Sequence, residues 1–353
     1  MEMIENLIRP CLRQLKPYSS ARGEHAGQHG ILLDANENPF DTLKAAPFEN
    51  GLNRYPDPLQ KAVKDRLATI KRVPASRLFL GNGSDEAIDL LYRGFCDPRI
   101  DKALICPPTY GMYEVSAGIN DVELVRVPLD ANFDIDLPAV LDALEQHRPK
   151  LTFICSPNNP TANLVDASVI AAIAGKGIGL VVVDEAYIDF TPEGSVVPLL
   201  DQFPNIVILQ TLSKAWGLAG IRLGIAIAHE SVIALFNKIK PPYNVNALSQ
   251  EVALKALQDH SGMIERVQTL IRERNLLADW LAEQSCVRKV WPSDANFLLA
   301  EFSDPKHYYH GLAERGILIR DRSSVAPGCL RISIGTPEEN QALRNGILEL
   351  SKN

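Results

Sequence analysis

The sequence predicts an α/β fold built on a mostly parallel central sheet. Short apolar runs bounded by polar turns recur between residues 78 and 228 and alternate with segments of helical spacing. The run Leu180-Val181-Val182-Val183 is rich in β-branched residues, as in a strand buried on both faces of a parallel sheet. From about residue 250 the pattern changes to a long helical stretch and two further apolar runs, which predicts a second, smaller sheet.

The bulk numbers set limits. The chain has 353 residues and is 46% apolar, enough for a sizeable core. Its net charge of −7 argues against a polyanion-binding surface, so nucleic acid is not expected as a partner. Met1-Glu2-Met3-Ile4-Glu5 is acidic and lacks the apolar core of a signal peptide. No apolar run approaches the roughly 20 residues of a membrane span, so no membrane association is expected. The six cysteines are scattered with no Cys-x-x-Cys pair, in keeping with reduced thiols in the cytoplasm. His25 and His29 sit in a glycine-containing segment read as a loop, and His307 and His310 lack supporting ligands, so no metal site is expected.

The elements follow in order. Asp57 and Pro58 suit an N-cap and first helical position, with Leu59, Val63, Leu67 and Ile70 along one face and Pro74 ending the segment. Leu78-Phe79-Leu80 reads as a strand, Gly81 to Glu86 as a turn, and Ile88, Leu91, Tyr92 and Phe95 as a helix face. A strand, a glycine-rich turn and a helix N-terminus form an anion-binding geometry, because amides and dipole point to one place. A tight turn with no ligand would read the same way. Ala103 to Cys106 is a strand leading to Tyr110, either a core aromatic or a plate for a ring. Val122 to Val127 reads as a strand and Leu137 to Glu145 as a helix.

Leu151 to Cys155 is a strand that runs into Asn159, and Gly179 to Val183 is one that ends on Asp184 with Tyr187 beyond. A carboxylate at a central strand end caps local amides or serves a cation. Ile206 to Leu209 leads into Thr211, Ser213 and Lys214, and Ile221 to Ala228 follows as a strand carrying Arg222. Partial burial lowers the pKa of an ammonium and makes a nucleophilic amine available. Arg222 suits a phosphate. Arg331 lies inside an apolar strand, where a cation requires an anionic partner. Thr336-Pro337-Glu338-Glu339 is a capping box that opens a C-terminal helix.

Polar residues therefore cluster just after successive strands, at Gly81–Ser84, Tyr110, Asn159, Asp184 and Lys214. Ligands of open α/β sheets bind outside the carboxyl ends of the strands, so these residues would converge on one crevice. Their chemistry matches the needs of pyridoxal 5′-phosphate. Lys214 would take its aldehyde and serve afterwards as the base of a 1,3-proton shift. Asp184 would keep the ring nitrogen protonated. Asn159 and Tyr187 would bond the ring oxygen, and Tyr110 would stack on the ring. The Gly83, Ser84 and Asp85 amides with Thr211, Ser213 and Arg222 would hold the phosphate.

The stretches Leu33 to Pro39, Arg54-Tyr55-Pro56, Gly81 to Glu86, Pro107 to Tyr113, Ser156 to Thr161, Asp184 to Tyr187, Thr211 to Gly224 and Cys329 to Gly335 occur in one order over nearly the whole chain. In them the chain resembles the class I and II aminotransferases of pyridoxal-phosphate fold type I, most closely the histidinol-phosphate aminotransferases. The resemblance implies an N-terminal arm and part of the small domain over residues 1–48. A large cofactor domain over 49–250 and a C-terminal small domain over 251–353 would follow. It also implies a cytoplasmic homodimer in which Tyr55 reaches the neighbouring subunit's cofactor phosphate. Arg320 and Arg331 would bind the anionic end of the substrate, and Tyr18 and Asn36 would line its pocket. The implied reaction is amino transfer between histidinol phosphate and 2-oxoglutarate in histidine biosynthesis. One departure stands out: the family reads Asn-Pro-Thr-Gly where this chain has Asn159-Pro160-Thr161-Ala162, and a positive φ there would mildly strain the alanine.

Other readings share the scaffold. A threonine-phosphate decarboxylase would release CO2, and an aromatic amino-acid aminotransferase would present Arg331 to an α-carboxylate. A non-catalytic sensor would keep the cofactor domain and dispense with Lys214; the full catalytic set argues against it.

Overall fold

A computed structural model describes residues 2–17, 35–38, 40 and 52–352. The large sheet has seven strands: β1 (Leu78–Asn82), β2 (Lys102–Ile105), β3 (Glu123–Arg126), β4 (Leu151–Cys155), β5 (Leu180–Asp184), β6 (Ile206–Thr211) and β7 (Leu223–Ala228). Their order is β1-β7-β6-β5-β4-β2-β3. The pairings from β6 across to β3 are parallel, and β7 runs antiparallel between β6 and β1. The carboxyl ends of β1, β4, β5 and β6 therefore lie along one edge.

Alternation along each strand splits the interior into two cores. Val181 and Val183 of β5, with Ile206 and Ile208 of β6, face one core. Leu180, Val182, Val207 and Leu209 face the other. Both strands are buried along their whole length, as expected for parallel strands covered on both faces. The helix Ser84–Phe95 buries Ala87, Ile88, Leu91, Tyr92 and Phe95 in the second core. Ile4 of the helix Glu2–Leu7 joins the same core, and the Arg9 amide donates to the Gly94 carbonyl at 3.0 Å.

The smaller sheet comprises β8 (Val287–Val290), β9 (Phe297–Phe302), β10 (Arg320–Asp321) and β11 (Cys329–Ser333), in the order β10-β11-β9-β8 and antiparallel throughout. The helices His260–Ala282 and Pro337–Leu350 pack on it around Leu277, Leu281, Leu298, Ile332 and Ile347. The expected capping box is present: Thr336 accepts from the Glu339 amide while Glu339 accepts from the Thr336 amide.

Several boundaries shift by a few residues from the sequence reading, and two shifts have a clear local cause. The helix expected at Pro58 begins at Lys61, because Asp57 caps the Leu59 and Lys61 amides and Gln60 takes a left-handed turn at φ 49°. The strand expected from Ile221 begins at Leu223, because Ala219–Ile221 forms a 3-10 turn and Arg222 is left-handed at φ 54°. His25 and His29 lie outside the described residues. His307 and His310 are exposed, and no cluster of potential metal ligands occurs among the described residues. All six cysteines are free thiols. No described helix is long and apolar enough to cross a membrane.

Candidate active site

The carboxyl edge of the large sheet opens into a pocket lined by Gly83, Ser84, Asp85, Tyr110, Asn159, Asp184, Tyr187, Thr211, Ser213, Lys214 and Arg222. Cys155 and Ala186, which sequence reasoning did not single out, also line it.

One wall is an anion cradle. β1 turns at Gly83, φ 78°, directly into the helix Ser84–Phe95, whose first residues, Ser84 and Asp85, line the pocket. Glycine is required twice here. A Cβ on Gly224 would collide with the Ser84 amide and the Gly83 backbone, and one on Gly83 would sit 2.7 Å from Arg222 Nη2. Arg222 lies over the turn, 3.5 Å from Asp85 and held by the Gly83 amide donating to its carbonyl at 2.7 Å. Thr211 Oγ1 donates to Ser213 Oγ at 3.0 Å on the neighbouring strand end. Tyr110 is fixed by its hydroxyl donating to Asp85 Oδ1 at 3.0 Å.

Asp184 closes β5 and is buried. It accepts from the Tyr113 hydroxyl at 2.7 Å and from the Ala186 amide at 3.2 Å. Burial pushes its carboxyl up to about 6, opposed by those two hydrogen bonds and by Lys214. Lys214 is solvent-accessible through the pocket that it lines. Its amine lies 5.5 Å from the centre of the Tyr187 ring. Partial desolvation lowers its pKa, and the cations of Arg331 and Arg222 lower it further, against the pull of Asp184 and Asp85. The result is an amine that gives up its proton more readily than a free lysine, next to a buried carboxylate and an anion cradle.

The other expected residues lie around this pocket. Asn159 is buried on the turn after β4 and accepts from Arg331 Nη1 at 2.6 Å. Arg331 thus meets the pocket through Asn159, with its guanidinium 5.3 Å from the Phe297 ring centre. Arg320 is exposed and stands opposite Arg331 in the β10–β11 register. Tyr55 is not in the pocket wall; it is half-exposed and stacks on Tyr243 at 4.4 Å. Asn36 is exposed, at φ 54°. Tyr18 lies outside the described residues. The sequence reading missed Tyr113, whose contact with Asp184 spans 71 residues. Its one signal was a position three residues beyond Tyr110, in the first turn of the helix Met112–Ile119.

Comparison with known proteins places this arrangement. The family model described as aminotransferase class I and II matches residues 28–347. The histidinol-phosphate aminotransferase of Cytophaga hutchinsonii is 50% identical over 342 residues, covering 96% of this chain and 97% of the relative. That of Parabacteroides distasonis is 50% identical over 349 residues, covering 98% and 99%. The solved structure of histidinol-phosphate aminotransferase from Sinorhizobium meliloti in complex with pyridoxal-5′-phosphate aligns with a TM-score of 0.76 at 22% identity, covering 98% of this chain and 97% of that one, and shows the shared fold. The chain belongs to the class I and II aminotransferases and, among them, to the histidinol-phosphate aminotransferase family.

Proposed function

We propose that this chain transfers the amino group of L-histidinol phosphate to 2-oxoglutarate, giving imidazole acetol phosphate and glutamate, with pyridoxal 5′-phosphate as cofactor. The observation that carries the reading is the convergence of Lys214, Asp184 and the Gly83–Arg222 cradle in one pocket, with Arg331 tied to its wall through Asn159.

The residues suit that cofactor. Glycine at both positions is what lets the cradle form: a Cβ on Gly83 would press on the Arg222 guanidinium, and one on Gly224 would overlap the Gly83–Ser84 backbone. Asp184 accepts from two neutral donors, so a cationic ring nitrogen against it would complete a charge pair. When bound, the cofactor supplies a protonated ring that takes up the electron pair released as the substrate loses its α-proton. The chain does the remainder. The amides of Gly83, Ser84 and Asp85, with Thr211, Ser213 and Arg222, hold the phosphate. Asp184 holds the proton on the ring nitrogen, Asn159 and Tyr187 orient the ring oxygen, and Tyr110 backs the ring. Lys214 Nζ would hold the aldehyde and, once released from it, would carry the substrate's α-proton. Arg331 and Arg320 take the substrate's anionic end, with Tyr18 and Asn36 beside it.

A homodimer belongs to the same reading, with Tyr55 reaching the partner's cofactor phosphate. Its support is the half-exposure of Tyr55 beside the exposed Leu59, Leu248 and Val252, on segments joined where Gln250 donates to the Asp57 carbonyl. The free thiols support a cytoplasmic setting, and the −7 charge supports small-molecule partners over nucleic acid. Histidine biosynthesis is the corresponding pathway.

The test is a single-turnover experiment on cofactor-loaded protein. Histidinol phosphate is expected to abolish the visible absorbance of the lysine-bound cofactor. Conversion by phenylalanine but not by histidinol phosphate would overturn the substrate assignment.

A further inference from the structure

The mechanism above asks Asp184 to be ionised, yet the carboxylate lies in the interior at the end of a central strand. Six ionisable side chains from the surrounding elements face it: Tyr113 and Tyr110 beyond β2, Cys155 of β4, Tyr187 beyond β5, Lys214 beyond β6, and Asp85 at the head of the helix Ser84–Phe95. Lys214 is the one cation among them, and in the proposed function its amine is committed to the cofactor. Asp85 is of like charge. Of the six, Tyr113 is the one whose hydroxyl donates to the carboxylate.

Tyr113 is held with little freedom. It is fully buried, and its ring stacks on Phe153 at 4.7 Å with 19° between planes. Its backbone carbonyl accepts from the Tyr92 hydroxyl at 2.9 Å, and Tyr92 stacks on the same Phe153 at 5.4 Å. The Tyr110 ring stands edge-on to Tyr113 at 5.5 Å. The same residue therefore contacts both the carboxylate and the aromatic plate of the pocket. The Asp184 oxygen that lost this donor would carry its desolvation cost uncompensated, and the carboxyl would hold its proton to higher pH.

We infer that Tyr113 is a positioning residue, whose hydroxyl keeps Asp184 ionised and oriented and whose ring braces Tyr110. The inference deepens the proposed function and rests on it for its catalytic meaning, but the contact itself can be tested without substrate.

The experiment follows the Asp184 carboxyl by 13C NMR titration of the full-length protein without cofactor, with Asp184→Asn supplying the assignment. In Tyr113→Phe the Asp184 midpoint is expected to rise by about one pH unit, since a hydrogen bond to a charged group is worth at least a tenfold bias. Cofactor affinity is expected to fall about tenfold for the same reason. In an Asp184→Asn background, Tyr113→Phe is expected to weaken cofactor binding less than about twofold, because the partner is already gone. Tyr92→Phe, which removes an equally buried hydroxyl not aimed at Asp184, is expected to leave the midpoint in place. An unmoved midpoint in Tyr113→Phe, or an undiminished effect in the Asp184→Asn background, would overturn the inference. If Tyr113→Phe does not fold, replacing tyrosine by the more acidic 3-fluorotyrosine decides: the midpoint falls if the bond is present and stays if it is not. Failure of histidinol phosphate to react would strike the proposed function and leave the titration result standing.

Discussion

Arg331 donates from Nη1 to Asn159 Oδ1 at 2.6 Å, joining the small antiparallel sheet to the strand ends of the large one across 172 residues of sequence. Burial lowers the guanidinium's pKa, Tyr187 opposes that shift, and Arg320 adds to it. An arginine so placed is partly desolvated and, among the described residues, forms no ion pair with a carboxylate; the substrate phosphate or carboxylate would supply the anion.

Arg331→Ala is accordingly expected to cut kcat/KM for histidinol phosphate by about 100-fold or more, the scale of a charge-assisted pair in a partly dry site. Cofactor affinity should change little. Steady-state kinetics and a cofactor titration on the same preparation check both halves.

Asp184→Asn should keep the cofactor and lose at least about 100-fold in kcat, because an amide cannot hold the ring nitrogen's proton by charge. Turnover at the wild-type rate in that variant would remove Asp184 from its assigned role.

Ala162 has a positive φ, 68°, the condition under which the sequence reading foresaw mild strain, and it is fully buried. A left-handed alanine costs about 1 kcal/mol. Against that, Ala162→Gly loses a buried methyl worth about 0.8 kcal/mol and adds backbone entropy to the unfolded chain. These nearly cancel. The expected change is within about 1 kcal/mol in urea unfolding, with activity unchanged. The alanine is thus tolerated because its methyl is packed.

Glu185 gives a pH signature. Its carboxylate accepts from Ser195, from Gln210 Nε2 at 2.7 Å and from the Val196 amide at 2.7 Å, and burial pushes it up to about 7. A folded-state value above the ordinary value near 4.3 means that the native chain holds the proton longer. This group's contribution to stability therefore falls as pH rises from about 4 to 7. Unfolding midpoints of Glu185→Gln between pH 5 and 8 should show a shallower decline than wild type. Parallel curves would contradict the assignment.

Much of this site was legible because each strand announces itself by an apolar run and then breaks at a polar turn. Gly83, Asn159, Asp184 and Lys214 follow such runs, so parallel topology brings them to one edge. Arg222 was legible as a cation between glycines, and Gly224 explains why: only a glycine lets β7 approach the Ser84 amide. The Tyr113–Asp184 bond was not legible, since a tyrosine on an amphipathic helix looks like any core aromatic. Nor was the Arg331–Asn159 contact, because it depends on how two sheets dock. Helix starts such as Lys61 escaped because a left-handed Gln60 leaves no compositional mark.

In the proposed function the chain passes an amino group from one substrate to another through Lys214. The most direct measurement is the yield of glutamate from histidinol phosphate and 2-oxoglutarate, with CO2 followed in parallel, for wild type and Lys214→Ala. One glutamate per histidinol phosphate consumed, no CO2, and loss of nearly all turnover in Lys214→Ala are predicted. CO2 release in place of glutamate, or a Lys214→Ala variant as fast as wild type, would contradict it.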